Sequence, residues 1–163
     1  MRVLVLGVGN PLMTDDGFGL ALLDHLRRSR DWPADVTLMD GGTWGMNLLP
    51  AIEDADALLI LDAIDAGLAP GALVMLARDE LPRYVAQKLS PHQVDLRDVL
   101  ALAELRGRLP SYAAALGVQP AKVALGTDLS EIASRRLGSA ADAACAVLKH
   151  WGVGASAPAE MPA

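Results

Sequence analysis

The chain has 163 residues and a net charge of −6; 52% of it is apolar and 4% aromatic. That length suits one domain with a substantial core, which has to be built from Ala, Val, Leu and Ile. The acidic balance argues against a nucleic-acid backbone as the main partner, and a single cysteine, Cys145, excludes an intramolecular disulfide.

Val3 to Leu6 read as a buried strand. Gly7 and Gly9 then permit a tight turn or a close approach, and Pro11 stops the strand. This opening run is too short for a signal peptide. No apolar run approaches the ~20 residues that a membrane helix needs. A cytoplasmic protein without membrane insertion is expected. Thr14 reads as a helix N-cap, with Asp15 and Asp16 in the first turn, where they would complement the helix dipole. The helix is predicted from about Asp15 to Arg30, with Phe18, Leu22, Leu23 and Leu26 on one face. His25 falls on the opposite, solvated face. Trp32-Pro33 ends the helical signal.

Val36 to Met39 form a second strand that runs into the loop Asp40-Gly41-Gly42-Thr43-Trp44-Gly45. A helix is predicted from Met46 to Asp54, with Pro50 either kinking it or starting a new turn. Ala57 to Asp62 is the strongest strand, apolar until its last residue. The link Ala63 to Gly71 is too short for a crossover helix, so Ala72 to Ala77 is expected to run antiparallel to its predecessor. A short helix follows over 81–89, then the loop Ser90-Pro91-His92-Gln93.

A further helix spans about Val94 to Arg106, with Leu96, Val99, Leu100 and Ala103 inward and Gly107 as its stop. Tyr112 to Val118 is the last strand. Two helices, near Leu129–Leu137 and Ala140–Trp151, close the domain. Ser139 and Asp142 suggest a capping box for the second. Cys145 lies beside the inner stripe of that helix and reads as an inert thiol. The domain is expected to span 1–151, with a disordered tail over 152–163. The order describes a three-layer α/β fold: a mainly parallel twisted sheet of about five strands, one antiparallel, with helices on both faces. A monomer is expected, since the pattern leaves no surplus apolar patch.

Open α/β sheets bind ligands beyond the carboxyl ends of their strands. The ionisable residues there are Asp15, Asp16, Asp40, Asp62, Asp65 and His92. Two carboxylates with a neutral imidazole suit a divalent ion such as Ni²⁺ or Zn²⁺. Other designs fit less well. The Gly7-x-Gly9 turn has Leu12 where a dinucleotide fingerprint needs a third glycine, and no Gly-Lys-Ser/Thr follows. There is no Gly-x-Ser-x-Gly elbow and no His-Glu-x-x-His helix.

Five motifs come in one order: Gly-Val-Gly-Asn-x-Leu-x-x-Asp-Asp-Gly-Phe-Gly from Gly7, Asp40-Gly41-Gly42-Thr43, Leu61-Asp62-Ala63-Ile64-Asp65, Ser90-Pro91-His92-Gln93 and Gly117-Val118-Gln119-Pro120. In this the chain resembles the [NiFe]-hydrogenase maturation endopeptidases from about Val3 to Trp151. The resemblance implies an enzyme that removes a C-terminal extension from the nickel-loaded precursor of the hydrogenase large subunit. It implies Asp16, Asp62 and His92 as metal-ligating and catalytic residues, engaging Ni²⁺ carried by the substrate, with room for other divalent metals. The loop Asp40, Gly41, Gly42 and Thr43 would recognise that substrate. Position 16 is often Glu in the family; Asp16 is one methylene shorter, and Asp15 is a possible substitute. A nickel-sensing, chaperone-like module that binds the precursor without cutting it would use the same residues.

Overall fold

The computed structural model describes residues 1–42, 45–81 and 94–158. The predicted helix over 81–89 lies outside them from residue 82 onward, as do Thr43, Trp44 and His92.

Five strands form one sheet: β1 (Val3–Val8), β2 (Val36–Gly42), β3 (Ala57–Ala63), β4 (Leu73–Ala77) and β5 (Tyr112–Val118). Their order is β2-β1-β3-β5-β4, and all pairs are parallel except β4 with β5. The central strands β1 and β3 are buried along their whole length, which is why they read as unbroken apolar runs rather than as alternating ones.

Among the described residues, five helices join them: α1 (Phe18–Ser29), α2 (Leu49–Asp54), α3 (Val94–Leu105), α4 (Glu131–Ser134) and α5 (Leu137–His150). Phe18, Leu22 and Leu26 of α1 and Ala140, Ala144 and Leu148 of α5 pack on the face that carries Val5, Leu59, Leu61 and Leu116. Ile52 of α2 and Val99, Leu100 and Ala103 of α3 cover the other face, against Leu6, Leu58, Ile60 and Ala115. This is the expected three-layer α/β arrangement. No described helix is long and apolar enough to cross a membrane.

The antiparallel strand is correct in direction, but β4 does not lie beside its predecessor: β5 intervenes. The 64–72 link crosses the end of β5, where Ile64 N donates to Val118 O at 2.9 Å and Gly71 N to Gln119 O at 2.9 Å. Pro50 starts a turn rather than kinking one, since it stands in the first turn of α2, where its missing N–H costs nothing.

Both capping expectations fail. Thr14 does not cap α1. A 3-10 turn over Thr14–Gly17 precedes that helix, and the Thr14 hydroxyl instead donates to Lys122 O at 2.7 Å. Ser139 lies inside α5, which begins at Leu137, and its hydroxyl donates back to Arg136 O at 3.2 Å. An N-cap needs non-helical backbone, and the chain is already helical at Arg136. The serine that does cap is Ser130, whose hydroxyl accepts from Ala133 N at 3.3 Å to start α4. That helix is one turn long, shorter than the expected 129–137.

The first part of the tail expected to be disordered packs on the body. Val153 is buried, and Asp31 and Ser156 exchange backbone hydrogen bonds at 3.1 Å. Residues 159–163 lie outside the described set.

Candidate active site

The register of the sheet assembles one rim. Gly7 of β1 stands level with Asp40 of β2 and Leu61 of β3, and Asp62 stands level with Gly117 of β5. The parallel strands β1, β2, β3 and β5 therefore deliver Asp40, Asp62 and the loop carrying Asp16 to the same end of the sheet.

Asp62 is 0% exposed. A carboxylate is rarely buried completely without partners; here Oδ1 accepts the backbone N–H of Ala63 at 2.7 Å. Asp16 lies in the 3-10 turn after β1 and is half-buried. Its Oδ2 accepts the Asn10 N–H at 3.0 Å, a charge-assisted bond that fixes the carboxylate direction.

Gly9 brings the two residues together. Its φ is +124°, and a Cβ there would lie 2.0 Å from the Asp16 carbonyl oxygen and 3.6 Å from Asp62 Oδ1. The Asp16 backbone carbonyl and the Asp62 carboxylate thus both approach the space that a Gly9 side chain would occupy, a gap that only glycine leaves open.

Asp40 is exposed. Strand β1 separates its strand from that of Asp62, which puts the two backbones about 10 Å apart. Gly41 is buried, and a Cβ there would meet Leu6 Cδ1 at 2.8 Å. Gly42 has φ +42°. Asp40 to Gly42 form an outer wall of the rim, one strand removed from Asp62. Thr43 and His92, the rest of the expected site, lie outside the described residues. Among the described residues no group of three or more His, Cys, Asp and Glu could hold a metal ion.

Asp15 is not a substitute for Asp16. It is 0% exposed. Its Oδ1 accepts from Ser130 N at 2.7 Å, and its Oδ2 accepts from Ser130 Oγ, Ala121 N and Lys122 N at 2.8, 2.9 and 3.1 Å. Burial pushes its pKa up, but the Ser130 N–H and hydroxyl and the two other N–H groups outweigh this and hold it below the usual carboxylate value.

Asp65 is exposed and sits on the link after β3. The Gln119 amide and the Gly67 N–H hold its pKa low. The Gln119–Asp65 and Ser130–Asp15 contacts escape sequence reasoning, because the partners lie more than 50 residues apart.

The fold and rim define an α/β protein with the acidic residues Asp16, Asp40 and Asp62 at or just beyond the carboxyl ends of its parallel strands. A family model described as hydrogenase maturation protease matches residues 20–147. The hydrogenase expression/formation protein HupD of Bradyrhizobium diazoefficiens is 41% identical over 154 residues, 93% of this chain and 80% of that protein. The hydrogenase 2 maturation protease of Escherichia coli is 36% identical over 94% of each chain. Among solved structures, the hydrogenase maturating endopeptidase HybD from Escherichia coli superposes with a TM-score of 0.94 at 35% identity, over 99% of this chain and 100% of that one. The chain belongs to the hydrogenase maturation protease family and is a peptidase.

Proposed function

We propose that this peptidase removes the C-terminal extension from the nickel-loaded precursor of a [NiFe]-hydrogenase large subunit. The observation that carries this reading is that Asp16, through its backbone carbonyl, and Asp62, through its carboxylate, both reach Gly9 on the rim where strand ends present ligands. Two carboxylate oxygens are hard donors that attract a divalent cation. A buried carboxylate such as Asp62 attracts one more strongly than it would in water, because the surrounding dielectric is lower. His92 supplies the third ligand. The nickel ion arrives as part of the substrate, so these residues dock the metal-bearing segment beside its scissile peptide. Asp40, Gly41 and Gly42 lie along the same rim and, with Thr43, recognise the precursor surface.

The test is a mass spectrum of nickel-loaded precursor incubated with the protein, beside a nickel-free control. Loss of a C-terminal peptide in the loaded sample alone is the expected result. Cleavage of both samples would remove the nickel recognition from this reading, and binding without cleavage would convert the protein to a chaperone of the precursor.

A further inference from the structure

Thr14 has φ +47°, a left-handed conformation that a β-branched residue adopts only where its surroundings impose it. It stands two residues before Asp16. The surroundings are the 121–130 segment, which is knitted to residues 12–15. Thr14 N donates to Gly126 O at 3.0 Å, Asp15 N to Lys122 O at 3.1 Å, and Gly126 N to Leu12 O at 2.8 Å. The Thr14 hydroxyl donates to Lys122 O and accepts from Ala124 N at 3.0 Å. The buried Asp15 carboxylate takes Ala121, Lys122 and both donors of Ser130.

We propose that Asp15 is a positioning residue: it clamps the 121–130 segment onto the turn, holds Thr14 in its strained conformation and so keeps the Asp16 carboxylate on the Asn10 N–H. This rests on the proposed role of Asp16 in processing. Without the carboxylate, the N–H groups of Ala121, Lys122 and Ser130 lose their acceptor and the segment loosens. Thr14 then relaxes to an ordinary conformation. Because Asp16 N is tied to Met13 O at 3.1 Å within the same turn, that relaxation rotates Asp16 away from the Asn10 N–H. Asp15 itself touches neither substrate nor metal.

The test uses Asp15→Asn and the milder Ser130→Ala, which removes the hydroxyl donor and keeps the backbone one. Two readouts are taken at a temperature where circular dichroism shows each variant folded: amide hydrogen exchange at Asn10, and processing kinetics on nickel-loaded precursor. In Asp15→Asn the Asn10 amide is expected to exchange about ten-fold faster relative to the amides of Leu59 and Ile60. The kcat is expected to fall by about 10- to 100-fold with KM nearly unchanged, since a small misplacement of a reacting group costs that much. Ser130→Ala shifts both readouts in the same direction by less, and it carries the test alone if Asp15→Asn does not fold. Wild-type exchange at Asn10, or wild-type kcat per folded molecule, overturns the proposal. A wild-type protein that leaves the precursor intact refutes the processing reading, while the exchange measurement still decides the role of Asp15 in placing Asp16.

Discussion

Gln119 donates its side-chain N–H to Asp65 Oδ1 at 3.0 Å, while its own carbonyl oxygen accepts the N–H groups of Ala66 and Leu68 at 2.7 and 3.2 Å. One buried amide at the end of β5 thereby fixes the link that leaves β3 just after Asp62. Gln119→Leu keeps the volume but leaves both N–H groups without that acceptor. The expected loss is about 1–2 kcal/mol, the net worth of hydrogen bonds to a link whose residues are themselves exposed. Urea unfolding monitored by circular dichroism measures it. A loss under ~0.5 kcal/mol would mean that water replaces the amide without cost.

The ends of β1 and β3 opposite the candidate site carry a pH-sensitive contact. Asp56 accepts the backbone N–H of Arg2 at 2.7 Å. That bond, together with the Arg2 guanidinium and the N-terminal ammonium, outweighs partial desolvation and holds the Asp56 pKa below its usual value. Folding lowers this pKa, so the contribution is complete above the unfolded value near ~4 and disappears as pH falls through the lowered one. Asp56→Asn is therefore expected to unfold at lower urea than the wild type at pH 7. The two midpoints are expected to converge in acid, once the pH falls below the lowered pKa. Midpoints that stay equally far apart at every pH would show that the carboxylate charge is not the source.

Two left-handed glycines separate backbone conformation from crowding. Gly9 at φ +124° faces the Asp16 carbonyl, whereas Gly107 at φ +68° has open space where a Cβ would go. Gly107→Ala is expected to cost about 1 kcal/mol, the price of a left-handed alanine. Gly9→Ala has to displace main chain at the site, and is expected to cost more than ~3 kcal/mol and to abolish processing. Thermal unfolding of the two variants gives the comparison, and equal losses would contradict it.

Much of this arrangement is legible in the sequence. Val3–Leu6 and Ala57–Leu61 announce central parallel strands because both their faces are buried, and Asp62 marks the strand end where polarity returns. The turn chemistry after Gly7 places Asp16 on the same rim. Cap assignments fail for a physical reason: the Thr14 hydroxyl finds Lys122 O across the fold, and the Ser139 hydroxyl bonds back to Arg136 O one turn earlier, in a helix that has already begun. Asp15 and Asp16 look interchangeable in sequence. Only the folded chain separates them, by placing Ser130 against one and the Asn10 N–H against the other. The position of β4 at the sheet edge is equally invisible, since local pattern sets a strand's direction but not which later strand slips in beside it.

The rim divides into a buried centre and an exposed wall, and the two should respond differently to loss of charge. Asp62 is wholly buried beside Gly9, while Asp40 is exposed on the far side of β1. Asp62→Asn keeps the shape and removes a charge that water cannot replace, so processing is expected to fall by more than ~100-fold, mainly in kcat. Asp40→Asn alters a solvated carboxylate, which the proposed function sets against the precursor surface. Its effect is expected to be about 2- to 10-fold, mainly in KM, because a contact equally good in ground and transition states moves KM and leaves kcat in place. Steady-state processing of nickel-loaded precursor, followed by gel mobility, measures both. An Asp40→Asn protein that loses kcat as steeply as Asp62→Asn would move Asp40 from the recognition wall into the catalytic centre.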